Sequence, residues 1–141
     1  MIPAMQALLE QQEGFRAKPY RDSRGFLTIG FGTNLDAGIT RDQAGALMQM
    51  ALNANAQALS ELPWFAGLNP ARQGVIENMA YNMGVGGVLT FTDMIAAIEA
   101  KDWPEAKRQM RASDWAVQVG KDRADVLSDI METGMMPDAA V

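Results

Sequence analysis

Apolar residues recur at helical spacing along most of this chain and break into short, punctuated runs in one stretch only. Met5, Leu9 and Glu13 fall at i, i+4 and i+8, so a helix over residues 3–13, with Pro3 in its first turn, carries a carboxyl at the end of its apolar stripe. Gly14 stops that helix. From Phe15 to Leu35 the runs are interrupted by Pro19, Asp22-Ser23-Arg24-Gly25, Gly30 and Gly32, a pattern that predicts a small β-hairpin or three-stranded sheet. Thr40 and Gln43 then make a capping box, and Ala44, Leu47, Met48, Ala51, Leu52, Ala58 and Leu59 keep helical spacing to about residue 60.

After Pro63 the pattern becomes a series of shorter helices, each with its own start signal. Asn69-Pro70 opens one that carries Val75, Ile76, Met79, Ala80 and Met83 and is expected to break at Gly84, Gly86 and Gly87. Thr92 or Asp93 is expected to cap the next, Asp102 to precede another at Trp103-Pro104, Ser113 to cap a short turn ending near Gly120, and a last helix to run from Lys121 to Thr133 before Gly134. The fold class is therefore α+β and mostly helical. One domain over 1–141 divides into a small α+β lobe at 1–39, a connecting helix at 40–61 and a helical lobe at 62–141.

Composition narrows the chemistry. The chain contains no histidine and no cysteine, which excludes a Ser-His-Asp triad, a Cys-His dyad and a zinc site built from those ligands. Proton transfer falls to carboxylates, Lys or Tyr. The stripe that ends in Glu13 is expected to be buried, and because desolvation favours the protonated form of a carboxyl, Glu13 is a candidate acid. Asp22 and Thr28 follow it at the hairpin. A site in a cleft between two lobes is the expected arrangement.

Net charge is −5 and the pI about 4.6, which argues against a nucleic-acid binder driven by phosphate contacts. No apolar run reaches the roughly 20 residues of a membrane span, and Met1 to Gln12 has neither the basic start nor the apolar core of a signal peptide. Synthesis in the cytoplasm without self-export is the expectation. Arg16, Lys18, Arg21 and Arg24 crowd the stretch around Asp22 and read either as a solvated surface or as the rim of an anionic-ligand site.

Eight residues separate Glu13 from Asp22 and five separate Asp22 from Thr28, within Glu13-Gly14-Phe15-Arg16-Ala17-Lys18-Pro19-Tyr20-Arg21-Asp22 and Thr28-Ile29-Gly30-Phe31-Gly32. This spacing resembles the phage-type lysozymes of glycoside hydrolase family 24, the muramidases that include the T-even phage enzyme. Asn78-Met79-Ala80-Tyr81-Asn82-Met83-Gly84, Phe91-Thr92, Trp103, Trp115, Arg123 and Thr133-Gly134 extend the resemblance over nearly the whole chain. It implies a lysozyme-like two-lobed fold that cleaves the β-1,4 bond between N-acetylmuramic acid and N-acetylglucosamine in bacterial peptidoglycan. Glu13 then corresponds to the general acid, Asp22 to the carboxylate that stabilises the oxocarbenium-like transition state and helps activate water, and Thr28 to the hydroxyl that positions that water. Arg123 corresponds to an ion-pair partner of the acid, and Asn34, Tyr81 and Asn82 to residues lining the sugar sites. The family is regarded as inverting, which calls for carboxyls about 6.5–9.5 Å apart. A monomeric phage or prophage endolysin, without metal or organic cofactor and delivered through a holin or another route, is the implied setting.

Simpler readings stand beside these. Asp22 alone reads as the side chain that fixes the Asp22-Ser23-Arg24-Gly25 turn, Thr28 as an ordinary strand residue, Tyr81 as core and Asn82 as a cap partner. Gly30-Phe31-Gly32 lacks the βαβ setting of a nucleotide loop and suits tight packing or a turn. Asp22 opens no calcium loop, since Leu27 and Thr33 occupy the sixth and twelfth positions. The tryptophans and methionines read as core. Thr33 stands where the best-known family member has histidine, and the segment after Gly32 is shorter. The other function classes carried forward are a silent peptidoglycan-binding module, a lytic transglycosylase, and a secreted effector or tail-associated lysin using the same chemistry.

Overall fold

The computed structural model describes residues 2–138; Met1 and residues 139–141, the outer ends of the expected 1–39 and 62–141 segments, lie outside them. The chain forms two compact units, Met1–Leu47 and Met48–Val141. It is an α+β protein, mostly helical, with one small antiparallel sheet near its N-terminus.

The first unit opens with α1 (Pro3–Glu13), whose last turn closes with the Gly14 N–H donating to the Glu10 carbonyl. Three short strands follow in the order β1 (Arg16–Arg21), β2 (Leu27–Gly30) and β3 (Thr33–Asn34). Tyr20 pairs with Thr28 and Arg16 with Gly30, but the register shifts between Arg16 and Tyr20. Pro19 lies in that interval on an edge strand, where its missing N–H removes no essential ladder bond. On the far side of β2, Thr28 pairs with Asn34. The Thr40–Gln43 capping box forms reciprocally, with the Gln43 N–H donating to Thr40 Oγ1 and the Thr40 N–H to Gln43 Oε1. It opens α2 (Arg41–Ser60), within which the boundary between the units falls.

One expectation fails in this unit. The Met5–Leu9–Glu13 stripe is not buried: no residue of α1 is, and Met5 and Leu9 stand 48% and 43% exposed. Within the unit, the sheet's strands are too short to offer α1 a packed face, and Thr28 is the one fully buried residue among those described. The apolar positions of α2 behave similarly, since Leu59 alone on that helix is buried.

The second unit contains the rest of α2 and six further helices among the described residues: α3 (Pro63–Ala66), α4 (Pro70–Leu89), α5 (Thr92–Glu99), α6 (Trp103–Arg111), α7 (Asp114–Val119) and α8 (Lys121–Thr133). Their starts follow local chemistry. Asn69, Asp102 and Ser113 each accept from the backbone N–H three residues on, and Pro70 and Pro104 occupy first-turn positions. Val75, Ile76, Met79 and Ala80 form the buried face of α4 and meet Leu127, Ile130 and Met131 of α8 in one core that also takes in Met94 and Met110. The Arg72 guanidinium donates to the Met131 and Glu132 carbonyls and stacks 3.7 Å from the Trp103 ring centroid, so α4 satisfies the exposed carbonyl end of α8.

Three details differ from expectation. Gly84 does break α4, with non-helical backbone at φ 78°, but Gly86 and Gly87 continue it to Leu89. A Cβ on Gly87 would lie 2.8 Å from Met83 Cγ, so that glycine serves packing and not termination. The cap of α5 is Phe91, with Thr92 and Asp93 inside its first turn. The methionines divide: Met79, Met94, Met110 and Met131 fill the core, whereas Met5, Met48, Met50, Met135 and Met136 are exposed. Trp115 is buried, while Trp64 and Trp103 pack against the core from its margin. No helix among the described residues is long and apolar enough to cross a membrane.

Candidate active site

Glu13, Asp22, Thr28 and Asn34 all belong to the first unit, each at an element end or beside a turn. Glu13 is the last residue of α1, and its carboxyl lies directly against the backbone of Gly32. A Cβ built on Gly32 would stand 2.7 Å from Glu13 Oε2, closer than such atoms approach, and Gly32 also has φ +83°. Only glycine supplies both the conformation and the space. The Phe15 and Phe31 rings, 5.4 Å apart, fasten the two segments that bring Glu13 and Gly32 together. The Gly30-Phe31-Gly32 pattern points to tight packing or a turn, and the partner of Gly32 is Glu13.

Asp22 is held rather than free. Its Oδ1 accepts from the backbone N–H groups of Arg24 and Phe26, both at 2.9 Å, and its own N–H donates to the Phe26 carbonyl. The side chain therefore does fix the turn, as its simpler reading requires. That role and a chemical one are compatible, because Oδ2 has no hydrogen-bond partner among the described residues. The carboxylate is clamped by one oxygen and presents the other.

Thr28 is buried, with 3% of its surface accessible, and its hydroxyl donates to the Phe26 carbonyl at 2.9 Å. Its proton is thus committed, and its oxygen can only accept from a further partner. The β2 end beside it is pinned by Asp36, whose Oδ2 accepts from the Leu27 N–H, while the Leu35 N–H donates to the Leu27 carbonyl. Asn34 Oδ1 accepts from the Asp36 and Ala37 N–H groups, so this expected sugar contact also shapes its own loop, leaving its Nδ2 for a ligand. Asp36 escaped sequence reading; the Asn34-Leu35-Asp36 pattern of paired side-chain acceptors was its signal.

Tyr81, Asn82 and Arg123 belong to the second unit. Tyr81 and Asn82 are exposed on α4, just before the Gly84 kink, so Tyr81 is not core. Arg123 on α8 donates to Asn78 Oδ1 on α4 at 2.6 Å, one turn before Asn82. Among the described residues, no group of three or more acidic side chains is arranged to hold a metal ion.

The phage lysozyme family model matches residues 10–129. The chain belongs to the phage lysozyme family. Membership makes it a peptidoglycan hydrolase of the glycoside hydrolase type. The same family pattern appears in individual relatives. Over 93% of its length the chain is 32% identical to the pre-baseplate central spike protein Gp5 of Enterobacteria phage T4, of which it spans 28%. Over 96% it is 26% identical to the probable T4-type lysozyme 1 of Dictyostelium discoideum, spanning 98% of that protein. A second protein of that organism, probable T4-type lysozyme 2, is 23% identical.

Proposed function

We propose that this phage lysozyme family member is an N-acetylmuramidase, cleaving the β-1,4 bond between N-acetylmuramic acid and N-acetylglucosamine by direct displacement with water. Glu13 protonates the glycosidic oxygen. Asp22, through the oxygen its turn leaves free, stabilises positive charge at the sugar ring and polarises the attacking water. Thr28 accepts a hydrogen bond from that water and so aims its lone pair at the anomeric carbon. Asn34, Tyr81 and Asn82 contact the sugars, and Arg123 corresponds to the residue that supports the acid; these four assignments rest on the family resemblance alone. The enzyme acts as a monomer, and the carboxyl chemistry requires neither a metal nor an organic cofactor.

The observation that carries this reading is the state of Thr28. A buried strand hydroxyl with its proton spent on the Phe26 carbonyl is an acceptor held beside a clamped carboxylate, which is the arrangement a water-directing group needs. In a lytic transglycosylase or a silent binding module such a group would be idle. Mass spectrometry of purified peptidoglycan after digestion by the protein and by Glu13→Gln tests the reading. Reducing muropeptides from the first and none from the second are expected. Anhydro products would replace hydrolysis with transglycosylation, and no products from either would leave a binding module.

We further propose a role as a phage or prophage endolysin reaching the wall through a holin or another delivery route. The likeness to a phage T4 spike protein favours a tail-associated lysin as the second setting. Lysis from within on induced expression, against lysis only on external contact, distinguishes them.

A further inference from the structure

We infer that Arg16, Lys18 and Arg24 on the β1–β2 hairpin bind the free carboxylates of the stem peptides on the glycan strand being cut. The inference rests on the muramidase reading and adds a specificity contact to it. The ion pairs among the described residues all lie between Glu105 and Glu132, where Lys107, Arg108, Arg111 and Lys121 are matched with nearby carboxylates. Arg16, Lys18, Arg21 and Arg24 are exposed and take part in none of them, although the chain as a whole carries a charge of −5.

Two of these cations lie against aromatic rings. The Arg16 guanidinium sits 4.5 Å from the Tyr20 ring centroid and that of Arg24 sits 5.4 Å from the Phe26 centroid. A guanidinium laid on a ring keeps its N–H edge available for two parallel bonds to a carboxylate, and loses little freedom when it makes them. Arg21 is partly used, because its Nη1 donates to the Gly25 carbonyl and braces the turn.

Position decides the occupant. Arg24 lies in the turn that clamps Asp22, and its own N–H is one of the two that hold the Asp22 carboxylate. A separate anionic polymer lodged on this turn would compete with the sugar for the space beside Asp22. Anions carried by the substrate itself would instead deliver the sugar there. The chain's overall negative charge also gives no long-range attraction for a free polyanion, so the cations act at contact distance.

The test compares kcat/KM on three substrates: intact peptidoglycan, the same material with its stem carboxylates amidated, and glycan strands stripped of their stems by an amidase. The native enzyme is expected to favour the intact material over both others by about tenfold, a preference of the size that a few exposed charge contacts supply. In the Arg16→Gln, Lys18→Gln, Arg24→Gln triple variant the ratio is expected to fall to near one, while an Arg16→Lys, Arg24→Lys variant keeps most of it. Equal rates for the native enzyme on intact and amidated material, or an undiminished ratio in the triple variant, would overturn the inference while cleavage of stripped glycan still upheld the muramidase reading. Failure to cut any of the three substrates would overturn both.

Discussion

Replacing Gly32 with alanine separates the two jobs that glycine does beside Glu13. Its φ of +83° costs an L-residue on the order of 1 kcal/mol, after allowing for the smaller unfolded-state entropy of alanine. The new methyl would also stand 2.7 Å from Glu13 Oε2, and the carboxyl would retreat by about 0.7 Å to reach an ordinary contact of 3.4 Å. Because Glu13 is an exposed side-chain end, that retreat adds little to the stability cost. It does move the proposed acid, and a misplacement near 1 Å of a catalytic group costs about a hundredfold in rate. Gly30→Ala is the internal control, since Gly30 has φ +67° and nothing within 4 Å of its would-be Cβ. Both variants are expected to unfold at similarly lowered urea midpoints. In reducing-end release from purified peptidoglycan, Gly32→Ala is expected to lose on the order of tenfold to a hundredfold in kcat beyond Gly30→Ala. If the two variants agree within about threefold, the contact between Gly32 and Glu13 does not position the proposed acid.

Thr28→Val keeps the shape of the buried residue and leaves the Phe26 carbonyl its bond from the Asp22 N–H; it is expected to cost about 1 kcal/mol of stability but at least tenfold in kcat, with KM little changed. Gly134→Ala, at φ +71° and with its Cβ 2.8 Å from Arg72 Nη1 and 2.9 Å from Asn69 Nδ2, should destabilise by about 1–3 kcal/mol in urea unfolding without changing the rate of the folded enzyme. Hydrogen bonding to Arg108 and then Gln109 brings Glu105 down to about 2, and bonds from Lys107 and Lys121 lower Asp129 and Asp125 respectively. A carboxylate whose folded pKa is depressed stabilises above its unfolded value and loses that contribution as pH falls, so the thermal midpoint is expected to drop progressively below about pH 4 and less steeply in Asp129→Asn. Lys107, raised by its hydrogen bonds to Asp129 and Glu132, acts in the opposite sense: its contribution is present below the usual lysine range and declines as pH climbs through its folded value.

What the sequence determined by itself is what depends on neighbours a few residues apart. The capping box at Thr40 and Gln43, the caps at Asn69, Asp102 and Ser113, the stop at Gly134 and the presence of a small sheet, as a hairpin or three strands, were legible because each is made by groups close together along the chain. The spacing of Glu13, Asp22 and Thr28 was legible as a family pattern for the same reason: it is a linear signature. Tertiary structure decided which apolar stripes find a partner. The stripe of α4 is buried and that of α1 is not, although periodicity marks them alike, because burial depends on a facing surface that no local pattern encodes. It also decided that Gly87 lies under Met83, that Arg72 closes the end of α8 from residues about 60 positions away, and that Glu13 rests on Gly32. Each of these is a contact across the fold, where chain direction and packing, and not propensity, set which atoms meet.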